Sequence, residues 1–153
     1  MSNPNTAALA TAIAGLTVSG VTFKDITAIP RMIIPTDCPI FFPDPDNWFS
    51  GMATNSRIPI SGLAGQYDVT RTLKYIYLHS VSTAANTITV HYAEMAAKVD
   101  LIYKAIASMN NGVAVVNSVS VSRFGEIQAP QSGTIRNVFF GCFFDINISE
   151  MVY

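Results

Sequence analysis

A chain of 153 residues is enough for one domain with a core of its own, spanning 1–153, and not for two. Only 12% of the residues are charged, about half the usual globular share, while 50% are apolar; such a surface is either Ser/Thr-rich or covered by neighbours, and the balance favours a subunit. Nine basic residues, scattered from Lys24 to Arg136 without a run and balanced by ten acidic ones, argue against a dedicated nucleic-acid grip.

The first apolar stretch runs from Ala7 to Val21. It has no Lys or Arg before Lys24, so it lacks the charged start of a signal peptide, and Thr11, Gly15, Thr17, Ser19 and Gly20 make it too weak to span a bilayer. Leu9, Ile13 and Leu16 recur at helical spacing, Asn5 or Thr6 can cap the start, and Gly20 offers a stop. The expectation is a short amphipathic helix ending near Ser19. From Val21 to Ile34 the β-branched and aromatic residues predict extended chain, with Pro30 marking a bulge, an edge or a break between two short strands.

Pro35 to Gly65 shows no helical or strand period and contains Pro35, Pro39, Pro43, Pro45 and Pro59. Its Ile40, Phe41, Phe42, Trp48, Phe49 and Met52 seek burial, which argues against disorder. Two readings stand: an arm at about 35–66 that docks on a neighbouring subunit or partner, or an Ω-type loop folded over its own core. Asp44-Pro45-Asp46 lacks the further oxygen ligands and closing Glu of a calcium loop, so no metal is expected there.

From Thr70, residues Leu73, Tyr75, Tyr77, His79 and Val81 alternate against Thr72, Lys74, Ile76, Leu78 and Ser80, predicting a strand with both faces partly apolar. A polar turn, Ser82 to Asn86, leads to the clearest helix. There Tyr92, Met95, Val99, Ile102, Ile106 and Met109 recur every three or four residues, and Glu94 with Lys98 and Asp100 with Lys104 form acid-before-base pairs. Asn110-Asn111-Gly112 supplies its cap. Val113 to Ser122 predicts a strand, Arg123 to Gly133 a polar turn, and Thr134 to about Ser149 a last strand. In that last strand Val138, Phe140, Cys142, Phe144, Ile146 and Ile148 line one face, while Phe139 and Phe143 flank Gly141 on the other. A strand apolar on both faces asks for cover that a short chain has little of its own to supply. The resulting fold class is α+β: a two-layer sandwich of two helices on a four-stranded, mostly antiparallel sheet, with a long Pro- and aromatic-rich loop.

Cys38 and Cys142 form no CxxC pair, and Cys142 on the apolar face reads as a free thiol acting as a small hydrophobe. The two histidines, His79 mid-strand and His91 at a helix start, read singly as structural. There is no glycine-rich phosphate loop, no HExxH or similar metal motif, and no spacing that pairs either cysteine with a histidine, so neither catalytic residues, metal nor cofactor is expected.

Three features together resemble the tail-terminator and neck (tail-completion) proteins of siphovirus-like tailed phages. They are the N-terminal helix feeding Ile29-Pro30-Arg31, the unit Tyr75-Ile76-Tyr77-Leu78 followed by the helix Tyr92 to Met109, and the closing Phe139-Phe140-Gly141-Cys142-Phe143-Phe144-Asp145-Ile146-Asn147-Ile148. The resemblance implies a virion subunit that assembles in the host cytoplasm and closes into a homohexameric ring at the head-proximal end of the tail tube. Its partners would be further copies of itself, the tail-tube protein and head-connector or neck proteins, with DNA passing the lumen without specific binding and no membrane involved. The family has no active-site residues to transfer. The residues expected at subunit or partner interfaces are Phe41, Phe42, Trp48, Phe49, Phe139 and Phe143. Two alternatives stay open: a tail-tube or head-completion subunit, and a small ligand-binding module with the aromatic loop as a pocket lid.

Overall fold

The computed structural model describes residues 6–25, 28, 33–44, 49–57, 67–82, 88–109, 115–128 and 138–152. Along them run α1 (Thr6–Ala14), β1 (Thr22–Phe23), a 3₁₀ turn (Pro35–Asp37), β2 (Ile40–Pro43), β3 (Phe49–Arg57), β4 (Tyr67–Val81), α2 (Ile88–Ala107), β5 (Val115–Gln128) and β6 (Val138–Val152). The strands form one mixed sheet in the order β1-β2-β4-β6-β5, with β3 pairing on β4 beside that path. Only β1 and β2 run parallel; the other pairs are antiparallel. The α+β class holds, and the sheet is broader than the four strands expected.

The ladder between β4 and β6 is the spine, running from Tyr67 opposite Val152 to Val81 opposite Phe139 with one bulge between Leu78 and Ser80. On its other side β4 carries two strands end to end: β2 opposite Tyr75–Leu78 and β3 opposite Tyr67–Leu73. β2 and β3 come from the segment expected to be a loop. The physical reason is burial on both faces, since Ile40, Phe41 and Phe42 are all at most 1% exposed. A short strand covered on both sides shows no alternation, and prolines bound it at Pro39 and Pro43. Of the two earlier readings, folding over its own core describes Ile40–Pro43.

One face of the sheet carries both helices. Leu73, Tyr75 and Tyr77 of β4, Phe41 of β2, Val119 of β5 and the even-numbered residues Phe140 to Ile148 of β6 pack there against Ile13 and Val18 and against Met95, Val99, Ile102 and Ile106 of α2. Phe41 stacks on Tyr75 (centroids 4.9 Å, planes 3° apart) and meets Phe144 edge-on at 5.2 Å. The opposite face holds a second, smaller core of Ile33, Ile40, Phe42, Ile76, Leu78, Ile127 and Phe139, with Cys38, Val81 and Phe143 against it. Farther along, this face turns polar. Thr72 donates to Asn147 (2.7 Å), Asn147 donates to Ser118 (2.8 Å), and Lys74 pairs with Asp145 at 3.6 Å.

β6 is therefore an interior strand with its own chain on both faces and both edges. Its two-sided hydrophobicity is used within the subunit, which corrects the expectation that it needs a neighbour's cover. Glycine matters at its Gly141, where a Cβ would penetrate the Tyr77 carbonyl oxygen.

Several boundaries differ from expectation. α1 ends at Ala14, closed by Gly15 N–H to Thr11 O (3.0 Å) and Leu16 N–H to Ile13 O (3.1 Å). Gly20, at φ 78°, serves instead the turn joining Val18 to Val21. Among the described residues of the extended run, Thr22–Phe23 is the stretch that pairs as a strand. β5 continues to Gln128 through the stretch expected as a turn, because a bulge between Ser122 and Gly125, with Arg123 at φ 55°, absorbs the irregularity. That bulge reverses the alternation and turns Ile127 into the second core beside Phe139. The Asp100–Lys104 pair forms at 3.0 Å, whereas Lys98 donates to the Ser19 carbonyl at 2.5 Å. Ile29-Pro30-Arg31, the Asn110-Asn111-Gly112 cap and the Pro45-Asp46 half of the acidic stretch lie outside the described residues.

Candidate functional site

Large apolar side chains stand exposed on β5 and at separate positions around α2. Val121 and Phe124 of β5, and Val90, Tyr92, Leu101 and Tyr103 of α2, are all exposed. Tyr92 and Phe124 meet edge-on at 5.7 Å, so the strand and helix contributions touch. β5 pairs only with β6 among the described residues, leaving its outer edge without a strand partner. From Val115 to Ser122 the strand holds no charge and no proline, the usual devices that keep a free edge from pairing. At the bulge an open groove is lined by Arg123, Phe124, Gly125, Glu126, Ile127 and Phe143. The Arg123 guanidinium lies 5.4 Å from the Phe143 ring centre.

The six residues expected at interfaces fall into three groups. Phe41, Phe42 and Phe139 are fully buried in the two cores and have no surface left for a partner, which corrects that expectation for all three. Phe143 is half-buried and lines the groove. Phe49 begins β3 opposite Leu73, and Trp48 lies outside the described residues. The residues missed were Val121, Phe124 and Tyr92. The part of that signal available was Val119-Ser120-Val121-Ser122, an uncharged alternating stretch with one polar, solvated side, which bears on Val121 but not on Phe124 or Tyr92.

A second constellation lies between β4 and the start of α2. His79 follows Leu73, Tyr75 and Tyr77 into the helix-side layer, and the β-bulge between Leu78 and Ser80 turns Val81 to the other face. On α2, His91 and Glu94 are one turn apart on one side. The imidazoles of His79 and His91 stand 5.5 Å apart edge-on, and the ligand atoms of His79, His91 and Glu94 all lie within 4.8 Å of one another. His79 is 4% exposed, and its Nδ1 is 2.7 Å from the Tyr77 hydroxyl. Burial holds the His79 pKa below the usual imidazole value against the opposing pull of Glu94, with His91 and Lys98 adding to the lowering. Burial likewise raises the Tyr77 phenol well above its ordinary value, reinforced by Cys142, Cys38 and Glu94. Weighed singly, each histidine looks structural; the fold brings the chain's two histidines together. The His91-x-x-Glu94 spacing within a clear helix was the legible half of that signal.

The cysteines are both free. Burial pushes both thiols up to about 12, aided at Cys38 by Asp37. No helix among the described residues is long and apolar enough to cross a membrane. No protein-family model and no curated protein sequence matches the chain.

Proposed function

We propose that the protein is a self-assembling structural subunit of a tailed bacteriophage, a tail terminator that closes into a ring at the head-proximal end of the tail tube. The observation that carries the reading is the edge of β5 that no described strand pairs, uncharged from Val115 to Ser122, beside exposed Val121, Phe124 and Tyr92. The occupant is a second copy of the chain. At the opposite margin of the same sheet β3 pairs only with β4 among the described residues, so the subunit carries two different strand edges. Unlike edges that meet head to tail generate a ring when the rotation closes, and an open polymer when it does not. The position in the particle and the number six come from the resemblance to tail terminators. Enzymatic activity forms no part of this reading.

A second reading, a tail-tube subunit, draws on the strand content: β2 and β3 make the chain more β-rich than its sequence pattern implies, as expected of a tube protein. Light scattering on the purified chain separates the two. A closed ring supports the terminator, and open-ended polymers support the tube protein. Phe124→Lys with Val121→Lys is expected to yield monomers of unchanged helix content. A wild-type chain that stays monomeric at its highest soluble concentration overturns both.

A further inference from the structure

The geometry points to a binding site for one divalent transition-metal ion of the zinc class, held by His79, His91 and Glu94. Three donors from two elements converge: one imidazole from the β4 bulge, and one imidazole and one carboxylate from a single turn of α2. Metal–nitrogen and metal–oxygen bonds of about 2.0–2.2 Å around a tetrahedral ion set donor separations of roughly 3.3 Å. The three donor atoms already lie within 4.8 Å of each other, and Glu94 is exposed and His91 only partly buried, so neither is locked in a core. His79 is the fixed point, buried and held at Nδ1 by the Tyr77 hydroxyl at 2.7 Å, which leaves its Nε2 as the coordinating atom. A hydrogen bond on the far imidazole nitrogen is the usual support of a ligating histidine, so Tyr77 is a positioning residue.

Two imidazoles and one carboxylate select a borderline, nitrogen-preferring ion over calcium or magnesium, which take oxygen ligands. Three protein donors leave a fourth position for water. Bound there, the ion ties the first turns of α2 to the β4 bulge. Lys98, one turn beyond Glu94, donates to the Ser19 carbonyl. The site adjoins Tyr92 of the apolar margin in the first turns of α2 but uses none of the margin's residues, and it does not depend on the assembly reading.

The test uses the full, untagged chain, stripped with a chelator and titrated with Co²⁺, then with Zn²⁺. Uptake of about one Co²⁺ per chain, with the intense visible absorption of a low-coordinate ion that Zn²⁺ displaces, is expected. His91→Ala and Glu94→Gln should each weaken binding by at least about 10-fold, and Tyr77→Phe by roughly 10-fold. Circular dichroism should show unchanged helix content in all three. If the His91→Ala/Glu94→Gln double variant binds Co²⁺ like the wild type, the assignment is wrong. Should the variants fail to fold, the wild type decides alone: no Co²⁺ spectrum and no Zn²⁺-dependent rise in Tm overturns it. Binding is read on monomer or ring alike, so failure here leaves the assembly reading standing, and failure of that reading leaves this one.

Discussion

Cys142 sits on β6 with no exposed surface, packed among Phe140, Phe144 and the α2 residues of the helix-bearing core. Its sequence context, one apolar face of a strand, was enough to read it as an inert small hydrophobe. Cys38 is half-buried under the second core, and its thiol too is pushed up to about 12. A thiol that holds its proton better folded than unfolded favours the folded state below its ordinary value of 9.0, and that preference fades as pH rises from there towards about 12. At about pH 8 neither thiol supplies much thiolate, so iodoacetamide should label both cysteines slowly in the native chain and rapidly after denaturation, as read by mass spectrometry. The phenylalanines were harder to read. Phe41, Phe42 and Phe139 look alike in sequence to residues that reach a partner, and only the folded sheet shows where they go: Phe41 into the helix-bearing core, Phe42 and Phe139 into the second one.

At the scale of elements, α2 was the most legible because a helix buried on one side must repeat every three or four residues. Met95, Ile102 and Ile106 are fully buried, while the Asp100–Lys104 pair on the outer side is 60% and 69% exposed. Packing, not charge, holds this helix. Ile102→Ala should cost about 3 kcal/mol and Asp100→Asn less than about 0.5 kcal/mol, measured by urea denaturation. β5 was half legible. Its alternation up to Ser122 is plain, but the bulge beyond it shifts the phase by one residue, so Ile127 carries an inward role that strict alternation assigns to the other face. β2 was illegible because a four-residue strand buried on both sides leaves no period to detect, and its flanking prolines resemble those of a loop.

For the molecule as a whole, the sequence conveyed an α+β chain with two helices on one face, and underestimated how completely it covers its own sheet. Two cores share β4 and β6, since Tyr77 and Phe140 face one and Leu78 and Phe139 the other. Sharing makes them one cooperative unit. Phe139→Ala, although remote from both helices, should lower stability by about 3–5 kcal/mol. Far-UV circular dichroism and tyrosine fluorescence should then still report one coincident unfolding transition, where separate transitions would show that the cores fold independently. The candidate metal cluster and the apolar margin were less visible than the fold, because each depends on bringing distant segments together: β4 with α2 in one case, β5 with α2 in the other.

The end-to-end seating of β2 and β3 along one side of β4 leaves a seam, marked by the Asp44 amide donating to the Lys74 carbonyl at 3.0 Å. Strands that share a rail but not each other can detach one at a time. Among the described strands β3, whose register slips twice along its length, is held by β4 alone, whereas β2 is also tied to β1, so the two halves of that side of β4 are anchored unequally.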